Sequence, residues 1–282
     1  MNNIFTIDTE DWFHANYEDG LFQNDSTVKS TVVKNTEVYL EALKRNHSTA
    51  TFFVLGFVAE QHPDLIKRIS ADGHEIASHG YAHQLVYRQT PDEFREDVHR
   101  SKCMLEDLVG KEVIGYRAPS WSITEDSLWA LSILEEEGFL YDSSIFPFKN
   151  FLYGISGAPR FPFRACRYNE QAGSLIEIPP STIRIPGMNI PFSGGFYFRV
   201  LPYMLIDRCT RKGNRDGHSV IFYLHPREID PKQPRLKLNK RDALIHYYGI
   251  GQCEHKLNKI LEKFPCKSIQ QTIEKGLLLR GN

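Results

Sequence analysis

The sequence predicts an α/β fold, a single distorted (β/α) barrel of about seven strands. Apolar strand-like runs alternate with amphipathic helical stretches over most of the 282 residues, and no linker-like composition separates them. Asp8, His79, Arg117, Asp142 and His225 each fall at or just past the C-terminal end of an expected strand. That rim is where catalytic groups converge in barrels of this kind. An open doubly wound sheet lacks support, because no GxGxxG or Walker-type loop occurs.

Asn3-Ile4-Phe5-Thr6-Ile7 reads as the first strand. A helical stretch around Thr36 to Lys44 leads into a buried strand, Ala50 to Leu55, ended by Gly56. His62-Pro63-Asp64 starts a helix with proline at its first position, Leu65, Ile66 and Ile69 as its apolar stripe, and Gly73 as its stop. His74 to His79 is the next strand, and the capping box Thr90-Pro91-Asp92-Glu93 opens a helix that Gly110 closes. Val113 to Ala118 is a strand stopped by Pro119. Thr124 caps a helix through about Glu137, and Phe139 to Asp142 is a fifth strand.

Residues 146–172, rich in Phe, Pro, Gly and Arg, read as an irregular insertion. Leu175 to Pro179 and Ser219 to Leu224 resume the strands, with a helix near Leu201 to Lys212 between them. A last helix, about Gln252 to Phe264, precedes a short strand at Lys267 to Ile273. The expected organisation is one domain over residues 1–282, with a helical extension near 235–282.

Composition narrows the function classes. A net charge of −1 offers nothing for a nucleic-acid partner or an anionic membrane surface. No apolar stretch approaches the roughly 18–20 residues that span a bilayer. The chain enters a strand pattern at once, without the basic and apolar regions of a secretory signal. Its five cysteines are odd in number and form no CxxC, as expected of reduced thiols. These features set the expectation of a cytoplasmic protein.

The chemistry concentrates in a few motifs. His79-Gly-Tyr-Ala-His83 offers two imidazoles four residues apart, and Asp8, Glu10 and Asp11 place three carboxylates within four residues. Two histidines and a carboxylate form the ligand set of a hydrolytic metal site with an open position for water. The remaining carboxylates leave room for a general base beside the cation. Arg117 precedes a rigid proline turn, and its guanidinium is suited to orienting that base. Trp121 is either a wall for a sugar ring or core. His225, ending an apolar strand, is a candidate general acid because its ordinary pKa of about 6.5 suits proton donation near neutrality.

In this order the motifs resemble those of the polysaccharide deacetylases of carbohydrate esterase family four, the NodB-like proteins. The similarity runs from Asn3 to about Arg235. The family's TFDDG looks like Thr6-Ile7-Asp8-Thr9-Glu10-Asp11, its HxxxH matches His79 and His83, and its RxP[YW] resembles Arg117-Ala118-Pro119 with Trp121 one residue out of step. The fourth motif is reduced to Tyr141-Asp142-Ser143-Ser144, and LxH is similar to Tyr223-Leu224-His225. Asp8-Thr9-Glu10-Asp11-Trp12-Phe13-His14, Gly194-Gly195-Phe196-Tyr197-Phe198-Arg199 and the stretch from Phe222 to Asp230 further resemble an exopolysaccharide-locus, exosortase-associated branch.

The resemblance implies metal-assisted N-deacetylation of an N-acetylhexosamine polysaccharide or its precursor. One divalent ion, zinc foremost, would be held by His79, His83 and either Glu10 or Asp11, with Glu10 favoured. Asp8 would be the base, Arg117 its holder and His225 the acid. A backbone N–H near Trp121 or Ser122 is expected to help stabilise the oxyanion. Trp121, Pro119, Tyr197 and Phe196 are the expected substrate contacts. Two rivals are a hydrolase of a small cyclic amide on the same scaffold and a non-catalytic glycan-binding member.

Overall fold

β1 (Asn3–Thr9) is buried along its whole length and lies inside a curled sheet. The computed structural model describes residues 2–16 and 28–276. The other strands are β2 (Thr51–Val54), β3 (Glu75–Ser78), β4 (Gly115–Tyr116), β5 (Tyr141–Asp142), β6 (Phe163–Arg164), β7 (Ile176–Glu177), β8 (Thr182–Ile185), β9 (Met188–Pro191), β10 (Ile221–Leu224) and β11 (Cys266–Lys267). The main sheet runs β10-β1-β2-β3-β4-β5-β7-β6, with β11 paired to the start of β1. Seven of these strands, β10, β1 to β5 and β7, are mutually parallel, and β6 closes the edge antiparallel to β7. The α/β class is the one expected; with β11, also parallel to β1, the sheet has nine strands rather than about seven.

The sheet curls into a half-barrel. Among the described residues no ladder joins β7 to β10. The gap is bridged by Ile221 donating its N–H to Ser181 Oγ at 2.9 Å, and by a single pairing of Gly194 with Tyr223. Gly194 is obligatory there, since a Cβ would sit 2.1 Å from the Tyr223 carbonyl oxygen.

Side-chain alternation along each strand decides which groups reach the lumen. Phe5, Ile7, Phe52, Val54, Ile76, Phe222 and Leu224 face outward and pack under the helices. Burying each such side chain contributes roughly 1.5–3 kcal/mol. Ile4, Phe53, Ala77, Tyr141 and Ile221 fill the lumen instead. Continuing that register brings Asp8, His79 and His225 onto the lumen side at the C-terminal rim.

The helices are α1 (Val32–Arg45), α2 (Gly56–Gln61), α3 (Pro63–Ala71), α4 (Pro91–Val109), α5 (Ala130–Glu136), α6 (Gly195–Val200), α7 (Tyr203–Arg215), α8 (Lys240–Tyr247), α9 (Ile250–Lys263) and α10 (Ile269–Glu274). Both arms of the Thr90 capping box form, with Thr90 N–H to Glu93 Oε2 at 2.8 Å and Glu93 N–H to Thr90 Oγ1 at 3.3 Å. Gly110 ends α4 in the left-handed region at φ 64°.

Local corrections are few. The strand expected at Lys267 to Ile273 is only β11 followed by α10, because Ser268 caps a helix by accepting the Gln271 N–H. The helix expected from Thr124 is a 3₁₀ turn, Glu125–Ser127, and then α5. The β8–β9 hairpin and α6 lie where no element was expected. No helix of the described residues is long and apolar enough to cross a membrane.

Candidate active site

Two strand ends and the loop after the second bring Glu10, His79 and His83 together. Glu10 follows β1, His79 follows β3, and His83 lies in the next loop at φ 56°. Glu10 Oε2 stands 2.6 Å from His83 Nε2 and 4.0 Å from His79 Nε2. All three residues are buried, with one ligand atom from each inside a 4.8 Å cluster. Nδ1 of His79 lies 2.7 Å from the Arg117 carbonyl oxygen, so that nitrogen carries the proton and Nε2 keeps a free lone pair. The Asn16 amide meets His83 Nδ1 at 3.3 Å and Ser120 Oγ at 3.1 Å. With its oxygen turned to His83, that amide would fix the second imidazole in the same way.

Burial pushes His79 down to about 4. Burial would raise Glu10, but the imidazole of His83 outweighs it, and the carboxyl is held well below the usual range. Two imidazoles and a carboxylate are the donor set a borderline divalent cation takes.

Asp11, the other carboxylate considered for this cluster, turns away. Its oxygens accept N–H groups from Trp12 at 3.0 Å and Thr31 at 3.1 Å, which ties down the start of α1.

Asp8 is buried and receives Arg117 Nη1 on Oδ1 at 2.6 Å. Arg117 is wholly buried and nearly saturated. It also donates to Thr6 Oγ1, to the Ser143 carbonyl and to Ser143 Oγ at 2.9, 3.2 and 2.9 Å. Its guanidinium lies over the Phe53 and Trp121 rings, 4.0 and 4.5 Å from their centroids. The guanidinium is thereby held from every side, and Asp8 with it.

His225 follows β10 and turns Nε2 toward Asp8 Oδ2, 3.6 Å away. Its Nδ1 meets Glu228 Oε2 at 3.0 Å, and Glu228 Oε1 accepts Arg199 Nε–H at 2.8 Å. Burial alone would lower His225, yet the Glu228 carboxylate, with Glu10 and Asp8 beyond it, raises it above its ordinary value. Asp142, which also ends a rim strand, makes no such contact. It is hydrogen-bonded to Ser144 and Glu177, and burial raises both acids, Asp142 to about 6.

These groups line a cleft of about 850 Å³ that extends past Leu85 and Arg88 on one side and Phe196, Arg241 and Ile245 on the other. Trp121 contributes to its wall and also packs edge-on against Phe146 and Tyr223. Both readings of that residue therefore apply. Pro119 and Tyr197 are not among the lining residues. Pro119 starts a buried 3₁₀ turn, and Tyr197 packs on Phe148, while Phe196 and Tyr153 face the cleft. The N–H groups of Trp121 and Ser122 are already bonded to the carbonyls of Ala118 and Pro119 at 3.1 and 3.2 Å. The expected backbone donor is therefore spent on the turn.

Glu228, Arg199 and His14 lie in the stretches that carry the branch resemblance but, like Asn16, were given no role there. Glu228 looks like an ordinary acidic residue in a helical first turn, and it lies three residues after His225. His14 accepts the Asp11 N–H at 2.8 Å and lies 5.9 Å from the His83 ring, held down to about 3 by burial. Its place in the run Glu10-Asp11-Trp12-Phe13-His14 was the one available signal.

Residues 16–137 match the family model "Polysaccharide deacetylase", and residues 143–274 match a domain of unknown function, DUF3473. A peptidoglycan deacetylase-like protein of Gibberella zeae is 31% identical over 141 residues, which is 50% of this chain and 40% of that protein. A peptidoglycan-N-acetylglucosamine deacetylase of Bacillus cereus is 36% identical over 96 residues, 34% of this chain and 35% of that enzyme. The chain thus spans well under half the length of these relatives. In fold it resembles a candidate polysaccharide deacetylase from Mycobacterium smegmatis (TM-score 0.60, 21% identity, 98% of this chain and 90% of that one). The Puue allantoinase is similar in fold too, with TM-score 0.58, 16% identity, and coverage of 92% and 82%. The family model and these relatives show a likeness to polysaccharide deacetylases over half of the chain or less.

Proposed function

We propose that this chain, matched to the polysaccharide deacetylase family, is a metal-dependent hydrolase that removes N-acetyl groups from a hexosamine polysaccharide or its precursor. One observation carries the reading: the Glu10–His79–His83 cluster opens beside a carboxylate, Asp8, that faces a histidine 3.6 Å away. The donor set fits a single divalent ion, and we favour zinc with Glu10 rather than Asp11 as the carboxylate ligand. Such an ion supplies Lewis acidity, which polarises the acyl oxygen and acidifies water.

The protein's own groups do the proton work. Asp8 accepts the proton of the attacking water, and Arg117 holds that carboxylate in place and aimed. His225, whose pKa the Glu228 carboxylate raises, is the group placed to give a proton to the departing amine. The products are acetate and a free amino sugar.

The cleft supports a glycan over a small cyclic amide. It is long and open, and its aromatic surfaces, Trp121, Tyr153 and Phe196, suit the faces of sugar rings. Five basic lining residues (Arg88, Lys149, Arg199, Arg227, Arg241) are balanced by five acidic ones (Asp8, Glu10, Glu125, Asp126, Asp242), which suits an uncharged chain. We read residues 1–282 as one catalytic unit, since β1 pairs with both β10 and β11. We assign it to exopolysaccharide or envelope synthesis on the motif resemblance above, and to the cytoplasm on its cysteine usage.

Acetate release from N-acetylglucosamine oligomers, before and after chelation and zinc restoration, tests the reading. Metal-restored release that disappears in His79→Ala is the expected result. Release from a cyclic ureide but not from the oligomers would overturn it in favour of the cyclic-amide rival.

A further inference from the structure

We propose that Glu228, anchored by Arg199, is the positioning residue that holds His225 with Nε2 facing Asp8 and the cleft. The inference rests on the hydrolase reading only for what His225 does there. The geometry stands by itself.

Glu228 is fully buried and each of its oxygens has a defined task. Oε2 accepts from both His225 Nδ1 at 3.0 Å and the His225 backbone N–H at 3.1 Å. An ionised carboxylate only accepts, so Nδ1 carries the proton and Nε2 keeps its lone pair, or a second proton, for the cleft. Oε1 accepts the Nε–H of Arg199, whose side chain is also buried. The two terminal nitrogens of Arg199 then reach the carbonyls of Ile245 and Tyr248 at the end of α8. A hydrogen bond from Tyr39 to the His225 carbonyl at 2.9 Å fixes the backbone on the other side.

A buried ion pair rarely adds net stability over apolar packing of the same volume. Packing alone therefore gives no reason for Glu228 and Arg199 to meet inside the protein. Orientation of the histidine does, and Asp142 is engaged with Ser144 and Glu177 instead. The chain runs from the last carbonyls of α8 through Arg199 and Glu228 to His225. The same helix puts Arg241, Asp242 and Ile245 into the cleft wall. The wall that meets substrate and the prop behind the proton donor are thus one piece.

The test is two-armed and uses the full chain. In the first arm, ¹⁵N-histidine NMR at a pH above the titration of His225, assigned with His225→Gln, should find the neutral imidazole protonated at Nδ1. In Glu228→Gln, Arg199 claims the single remaining oxygen and the amide NH₂ faces Nδ1, so the tautomer should flip to Nε2–H. The second arm is kinetic. Glu228→Gln should lose about 10²-fold in kcat, with KM and bound metal unchanged, and Arg199→Lys should lose less.

A wild-type His225 with bare Nδ1, or a Glu228→Gln enzyme with wild-type kcat, overturns the proposal. So does a loss that tracks only KM or the folded fraction. Should the wild type release no acetate at all, the hydrolase reading fails alone. The tautomer still decides the positioning role, with a flip supporting it and no flip overturning it.

Discussion

Nε2 of His225 stands 3.6 Å from Oδ2 of Asp8, while the other oxygen of Asp8 takes a 2.6 Å hydrogen bond from Arg117. One carboxylate thus separates a permanent cation from a titratable one. Asp8→Asn leaves the shape but removes the base and leaves Arg117 without its counter-ion. The expected loss is 10²- to 10⁴-fold in kcat, with one metal ion per chain retained. Kinetics and elemental analysis on the same sample check both halves.

The two carboxylates after Asp8 should separate cleanly. Glu10→Ala is expected to abolish metal binding, since Glu10 lies in the cluster with His79 and His83. Asp11→Ala should keep the metal and instead cost about 1–3 kcal/mol of stability, because α1 loses the acceptor for its Thr31 N–H. Metal titration beside urea unfolding discriminates them, and metal loss in Asp11→Ala would reverse the assignment.

Acid should weaken the fold through a histidine far from the cleft. His74 is buried, its Nδ1 takes the Ala50 N–H at 3.3 Å, and burial holds it down to about 4. The unfolded chain binds this proton below about 6.5 and the folded chain only near 4, so stability is full above that window and is lost as pH falls through it. His74→Asn should flatten the slope between pH 6.5 and 4. Urea midpoints of the metal-free protein across that range provide the check, and an unchanged slope would count against it.

Gly194→Ala should destabilise by about 1–3 kcal/mol, since its Cβ would strike the Tyr223 carbonyl at 2.1 Å. Gly173→Ala, with nothing within 4 Å, is the matched control and should stay within about 0.5 kcal/mol. Denaturant unfolding of the pair compares them directly.

Much of the site was legible because strand ends and alternation are local signals. Asp8, His79 and His225 lie where the period of two carries a strand's inner face past its last ladder bond. What escaped depends on contacts between distant segments. Arg199 and Glu228 meet across 29 positions, and neither carries a local pattern that names the other. The misread strand after Lys267 has a plainer cause, since an apolar pair, Ile269 and Ile273, serves a short helix equally well once Ser268 caps it. Tyr197 and Phe196 were both expected contacts, and a single step along α6 decides that only Phe196 lines the cleft.

The pairing of β1 with β10 joins residues 216 positions apart, as in the bond from Thr6 to the Phe222 carbonyl. During synthesis the residues of the Glu10–His79–His83 cluster emerge early, whereas His225 arrives only with the second half of the chain. On the function proposed above, the metal-ligand set would be complete in the chain before its proton donor, and hydrolytic competence would wait for the last inner strand to dock beside the first. Contacts this distant in sequence are slow to form, which makes the acid–base pair the late event in maturation.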